Sequence, residues 1–312
     1  MTRENLQQPA QEPGTLSILG RKFLSLVSGR YSLRQVLLRV NRSPLRHVVK
    51  AVATLSDLPG KRRRRAYART VAPVPEVGAL RRDGYCRVQP EPALLAELRE
   101  AANERWQRIG EESRRANKTY LKAFITADLK AGRIGNDSIF VRFATQPAVV
   151  DLVAAYFGEA PYLTYVAVDL SEYAGETLST SQLWHRDYDD TKVVKLFTYL
   201  TDVPDTAHGP FTFLPPDLSK KIRATAAAHL ADRIVFSRVS PQAVTRMTAP
   251  AGTTFLVDTG RCYHMGSRVE AGRERLMFTA CYITRPSIYP KYFNTVAVRA
   301  PLGERERLLL LP

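Results

Sequence analysis

One residue separates His185 from Asp187 in the run Trp184-His185-Arg186-Asp187. On an extended segment residues i and i+2 point to the same side, so this imidazole and this carboxylate can grip one ion while Arg186 turns away. A second histidine, His264, follows at a distance. Two imidazoles and a carboxylate are the ligand set of a mononuclear non-haem Fe(II) site, occupying one face of the metal and leaving the other open. His264 has to arrive from another strand. It ends an apolar run, Gly252 to Tyr263, and Arg275 opens a second, Leu276 to Ile283, with the polar segment Gly266 to Arg273 between them. Such a pattern predicts a β-hairpin. Folded near Val269 and Glu270, it would set His264 and Arg275 opposite one another, roughly 5 Å apart at the backbone. A guanidinium there could hold a carboxylate whose other end chelates the metal, since arginine suits two-bond carboxylate pairing. Arg273 is an alternative for that role. Taken singly, His264 could be a core histidine and Arg275 a charge at a strand start; it is the ordered set that points to chemistry.

The elements that must position this set belong to a chain of ordinary soluble composition. Of 312 residues, 45% are hydrophobic and 24% charged, enough length for a substantial core. Three scattered cysteines, Cys86, Cys262 and Cys281, with no C-x-x-C, argue against a disulfide framework or zinc site. The formal net charge of +16 is uneven: residues 1–75 hold 15 Lys+Arg against 3 Asp+Glu, and the rest 31 against 27. The sequence therefore divides into a basic, partly helical extension, 1–75, and a domain, 76–312. Apolar residues three and four apart from Leu16 to Val52, with arginines between, predict a basic amphipathic helix or a pair broken near Ser43-Pro44. It would pack on the protein body or lie, with residues 16–65, on an anionic membrane surface. Lys61 to Arg65 follows Pro59-Gly60 and reads as a solvated linker. Nucleic acid is disfavoured as its partner, because no aromatic residues are interleaved to stack bases.

Further along, Pro92 to Ile109 and Gln146 to Phe157 predict helices, the second stopped by Gly158. Strands are predicted over Tyr162–Tyr173, Lys192–Leu200 and Phe211–Leu214. Asp217 to Ala231 reads as helix and Ile234 to Met247 as further strand. His208 sits in turn chemistry and is not expected to bind metal. Tyr188, Asp189 and Asp190, just beyond the metal pair, are candidate substrate contacts. No Gly-rich strand-to-helix turn supports an α/β sheet, so strands with helices gathered at the front favour a jelly roll flanked by helices.

The set His185-x-Asp187, Gly209-Pro210 with Leu214-Pro215 after it, His264, and Arg275 eleven residues beyond resembles the phytanoyl-CoA dioxygenase-like family. The resemblance covers Leu80 to Ile283 and opens on Leu80-Arg-Arg-Asp-Gly-Tyr-Cys-Arg-Val88. It implies a double-stranded β-helix (a cupin-like jelly roll) that uses Fe(2+) and 2-oxoglutarate. His185, Asp187 and His264 would be the ligands, and Arg275 would hold the distal carboxylate of 2-oxoglutarate. The family's small hydroxyl residue two positions after the distal histidine is Gly266 here; Ser267, one later, is the candidate second contact. The implied reaction is hydroxylation, or another oxidation of an unactivated C–H bond, in a small-molecule or lipid- or glycan-type substrate, with release of succinate and CO2. The carboxylate of Asp187 points to oxygenation rather than the halogenation of relatives that lack it. The competing expectation is a catalytically silent jelly roll recruited to a membrane or polyanion by its basic extension. Either protein would be cytoplasmic, peripheral at the membrane where the extension docks.

Overall fold

A computed structural model describes residues 42–115, 121–123, 134–173, 175–178, 180–222, 227–266, 268–288 and 296–311. Its organising pair is the strand β3 (Tyr162–Glu172) against β9 (Glu274–Ile283), antiparallel from Tyr162↔Ile283 to Glu172↔Glu274 with one irregularity near Thr164. Both are rich in β-branched and aromatic residues and are buried on two faces, so they read as near-continuous apolar runs. With β1 (Tyr85–Val88), β2 (Leu121–Ala123), β4 (Val193–Tyr199) and β7 (Thr254–Val257) they form a six-stranded sheet ordered β1-β7-β4-β9-β3-β2. A smaller sheet, β6-β5-β8, joins β5 (Thr212–Phe213) to β6 (Thr245–Arg246) and to β8 (His264–Met265). All named pairings are antiparallel.

Alternation along the large sheet sorts its side chains. Val166, Val168, Leu170, Val194, Leu196, Leu276, Phe278, Ala280 and Tyr282 enter a core shared with helices. Those helices include α3 (Glu76–Asp83), α4 (Pro92–Arg115), α5 (Ile139–Thr145) and α6 (Pro147–Phe157), which bury Leu80, Leu98, Phe143 and Val150 there. Phe143 meets Phe278 edge to face at 5.4 Å. Truncating such a ring costs about 3–5 kcal/mol. On the opposite face Phe197, Tyr199, Phe255, Val257 and Met277 pack against Phe211 and Phe213 of the small sheet and Met247 beside it. The two sheets therefore close over an aromatic interior, and the chemistry-bearing residues lie on that inner face.

The predicted helices at 92–109 and 146–157 and the three predicted strands are present with bounds shifted by a few residues. Gly158 caps α6 in the left-handed region at φ 73°, as a helix stop requires. In the Leu80–Val88 stretch, α3 ends at Gly84 (φ 79°) and the strand begins at Tyr85; a Cβ on Gly84 would collide with Cys262 Sγ and Pro216.

Several expectations are corrected. His264 and Arg275 do not face one another across a hairpin: β8 pairs with β5, Phe213↔His264, whereas Arg275 pairs with Ser171 on β3. The segment between them carries the chain from the small sheet to the large one. Asp217–Ala231 is not one helix; short helices α7 (Pro216–Ser219) and α8 (Asp232–Phe236) stand near its ends, and the second replaces predicted strand. Lys61–Arg65 is no linker. It lies inside α2 (Leu58–Thr70), where Pro59 takes a first-turn position that needs no N–H donor. Residues 1–41 and Ser267 lie outside the described residues.

What remains of the basic extension is bonded to the body. From α1 (Leu45–Leu55), Lys50 Nζ reaches Asp190 Oδ2 (2.9 Å) and the carbonyls of Thr284 (3.0 Å) and Pro286 (2.6 Å). From α2, Lys61 Nζ meets Glu159 Oε2 at 2.5 Å, and Arg64 Nη2 donates to the Arg285 carbonyl at 3.1 Å. Asp190 and Glu159 are buried carboxylates that need these cations, so Asp190, expected as a substrate contact, instead seats Lys50.

Candidate metal centre

The stretch 183–187 is pinned on both sides. Trp184 exchanges backbone hydrogen bonds with Leu230, its N–H donating at 3.0 Å and its carbonyl accepting at 2.8 Å. Its buried indole donates to Asp232 Oδ1 at 2.9 Å, and Arg268 clamps the same carboxylate at 2.7 and 2.8 Å. The N–H of Asp187 donates to the Thr259 carbonyl at 3.0 Å. Between these anchors His185 bridges His264 in an isolated antiparallel pair.

Ligand atoms of His185, Asp187 and His264 all lie within 4.8 Å of one another. Among the described residues this is the group of three or more His, Cys, Asp or Glu able to hold a metal ion. Each ring has a carbonyl beside Nδ1: Leu183 O at 2.8 Å for His185 and Cys262 O at 3.0 Å for His264. A carbonyl only accepts, so Nδ1 carries the proton and the lone pair is left on Nε2. That outer hydrogen bond fixes the tautomer and aims the ring, as it does for metal-binding histidines generally. Phe211 stacks on His264 with centroids 5.4 Å apart, limiting its rotation.

Charge states agree. Burial, followed by His185, pushes the His264 imidazole down to about 3, and burial also lowers His185; both rings are neutral ligands at pH 7. Burial alone would raise the Asp187 carboxyl, but the Lys195 ammonium 2.7 Å away outweighs it and holds it below the usual carboxylate range. Its Oδ2 accepts no hydrogen bond of good geometry, although Lys195 Nζ is 2.7 Å away and His264 Nε2 3.8 Å away. A buried anionic oxygen facing two neutral nitrogen lone pairs fits a divalent cation.

Arg275 is fully buried on the same inner face. It donates to the Gly209 carbonyl and, at 3.2 Å, to Ser171 Oγ. Although it belongs to the other sheet, its guanidinium approaches the chain after His264: a Cβ at Gly266 would be 3.7 Å from both Nη atoms.

Tyr188 has Arg46 above its ring at 5.4 Å and Arg186 at 6.0 Å, a setting of cations from α1 and the metal segment. Asp189 is half-buried beside it. His208 is held by Asp205 at 2.8 Å in its turn. The three cysteines are free and buried.

Sequence reasoning missed other residues of this face. Lys195 lies on β4 against Asp187, and Asp169 on β3 interacts with both Arg275 and Lys195. His229 stands at the rim, its ring 5.4 Å from that of His185. A signal for Lys195 existed: it is the single charge inside Val193-Val-Lys-Leu-Phe-Thr-Tyr199, at an inward position of the alternation. His229 had none, being distant in sequence and placed in a predicted helix.

No family model matches the chain, and no curated protein matches it. Among solved structures it is similar to the non-heme alpha ketoglutarate dependent epimerase SnoN from nogalamycin biosynthesis (21% identity, TM-score 0.47, 77% of this chain and 97% of that one). It is similar to EctD from S. alaskensis with bound Fe at 15% identity and TM-score 0.47, over 68% of this chain and 76% of that one. AviO1 from Streptomyces viridochromogenes Tue57 shares 17% identity at TM-score 0.47, over 70% of this chain and 97% of that one. At this distance the function is read from the chain's own residues.

Proposed function

We propose that the chain is an Fe(II)- and 2-oxoglutarate-dependent oxygenase of jelly-roll architecture. It would oxidise an unactivated C–H bond of a small-molecule or lipid- or glycan-type substrate and release succinate and CO2. The observation that carries this reading is the convergence of two Nδ1-anchored imidazoles and one ionised carboxylate on one point, with a buried guanidinium behind them. From β3 through the His185 bridge to β9 the chain passes between the large and small sheets at every step except β5 to β6, which both stay in the small sheet, and this connectivity supports a jelly roll.

In this reading His185, Asp187 and His264 hold the iron, leaving one face for the cosubstrate. Arg275, kept in place by Gly209 and Ser171, binds the distal carboxylate of the 2-oxo acid. Iron and the 2-oxo acid together supply the oxidising chemistry. Phe197, Phe211 and Phe213 line the interior and exclude water from it. Tyr188 and Asp189, with His229 at the rim, would meet the substrate. Residues 76–312 form the catalytic unit, and 1–75 an extension whose second half is bonded to it.

One observation favours an additional role for the extension. On α1 the polar edge, with Lys50, turns inward, and Leu45, Val48, Val52 and Leu55 are 56–68% exposed. That stripe, on an extension with 15 Lys+Arg against 3 Asp+Glu, suits the surface of an anionic membrane. Cosedimentation with anionic but not zwitterionic vesicles would support it; equal recovery with neither vesicle would exclude it.

The enzymatic reading is tested by succinate formation from 2-oxoglutarate across a substrate library. Turnover should require Fe(II) and vanish with a chelator. Fe(II)-loaded, folded protein that forms no succinate with any substrate, nor slowly without one, leaves the silent jelly roll as the better account.

A further inference from the structure

Lys195 stands at a costly place for a lysine. Its neighbours Val193, Val194, Leu196 and Phe197 are buried, and its side chain is 14% exposed. Its ammonium lies 2.7 Å from Asp187 Oδ2, the oxygen that also faces His264 Nε2, and 5.9 Å from the centre of the Tyr165 ring. An ammonium bound to a metal-binding carboxylate is a handicap for metal uptake alone. It repels an incoming divalent cation and competes for the oxygen lone pairs.

The charges around it explain its presence. Lys195 and Arg275 are positive, and Asp169, which interacts with both, and Asp187 are negative, so the four cancel. A divalent ion then gives the pocket two positive charges, which one dicarboxylate neutralises. Without Lys195 the loaded pocket is one positive charge short of its dianion. Lys195 and Arg275 also come from different strands: β9 lies between β3 and β4, and Lys195 pairs with Cys281, six residues along β9 from Arg275. Asp169 pairs with Met277, between those two register positions, so the two cations reach it from opposite directions along the sheet.

We infer that Lys195 binds the carboxylate of the 2-oxo acid at the metal end of the pocket, complementing Arg275 at the distal end. The inference rests on the iron and 2-oxo acid reading of the site. Before metal loading Lys195 offsets the charge of Asp187; once a divalent ion takes up that carboxylate, the ammonium is available to the incoming anion. It is a cosubstrate-binding residue that the metal motif does not reveal.

The two roles give opposite signs in one experiment. Under anaerobic conditions Mn(II) binding is followed by its paramagnetic signal, and 2-oxoglutarate binding to the Mn(II)-loaded protein by calorimetry. Lys195→Met should bind Mn(II) as tightly as wild type or tighter, while its dissociation constant for 2-oxoglutarate rises by about tenfold or more. Lys195→Arg, which keeps the charge, should stay within about threefold for the acid. Acid affinity unchanged in Lys195→Met overturns the inference and leaves the iron reading standing. A joint fall in metal and acid affinity in both variants shows a structural role and also overturns it. Wild-type protein that takes up no Mn(II) overturns the iron reading, and this inference with it.

Discussion

His185 and His264 exchange backbone hydrogen bonds, each N–H donating to the other's carbonyl at 2.9 Å, and their rings stand 4.2 Å apart. The distance between the two imidazoles is therefore set by main-chain pairing, not by the side chains themselves. Replacing either ring should leave the backbone pair intact and remove a ligand. We expect His185→Ala or His264→Ala to lose metal affinity by at least about a hundredfold, more than outer-shell changes do. Thermal unfolding of the metal-free protein should move little. Metal content after dialysis, with the melting curve beside it, checks both halves.

Arg275 should separate metal from cosubstrate. Arg275→Lys keeps a charge but loses the fork that suits a carboxylate, so 2-oxoglutarate affinity should fall about tenfold or more with metal uptake unchanged. Anaerobic calorimetry on the metal-loaded variant measures this. An unaltered acid affinity would leave the distal-carboxylate role with another group.

The extension should be part of the stability of the whole. Lys50→Met leaves the buried carboxylate of Asp190 without its cation, and removing one partner of such a pair costs about 3–5 kcal/mol. Asp190→Asn in the same background should recover part of that loss. Chain lacking residues 1–75 also loses Lys61 and Arg64 opposite Glu159, and should unfold at markedly lower urea concentration. A truncated protein as stable as the full chain would show that these pairs contribute nothing net.

How far the sequence reveals this arrangement depends on what each residue needs from distant ones. His185 and Asp187 are legible because their spacing acts within one segment, and β3, β4 and β9 because their composition suits burial on two faces. The partner of β8 is not legible: apolar runs joined by a polar connection look alike whether they return to the same sheet or cross to the other. Helix α5, Ile-Phe-Val-Arg-Phe-Ala-Thr, has strand-like composition and is helical because its apolar side packs on Phe278. Lys195 shows in the sequence only as one charge inside an apolar strand; that it stands against Asp187 depends on how the sheets close.

Asp169 should give the metal-free protein a distinct pH dependence. Burial, against the opposing pull of Arg275 and Lys195, raises its carboxyl from 3.8 to about 6. The folded protein then holds this proton more tightly than the unfolded chain, so stability falls as pH rises from about 4 through about 6 and stays lower above. The loss is at most about 3 kcal/mol for this one group. Asp169→Asn should be stabilised relative to wild type at pH 7.5 and not at pH 4. Urea unfolding at the two values tests it; a difference between the proteins that does not change with pH contradicts it.

In the proposed site His185, Asp187 and His264 hold one iron and Arg275 seats the 2-oxo acid. Anaerobic addition of 2-oxoglutarate to the Fe(II)-loaded protein should give a weak visible charge-transfer band. It should saturate at one acid per iron and be absent in His264→Ala. Folded, Fe(II)-loaded wild-type protein that shows no band at saturating 2-oxoglutarate, or a band that survives in His264→Ala, would contradict this assignment.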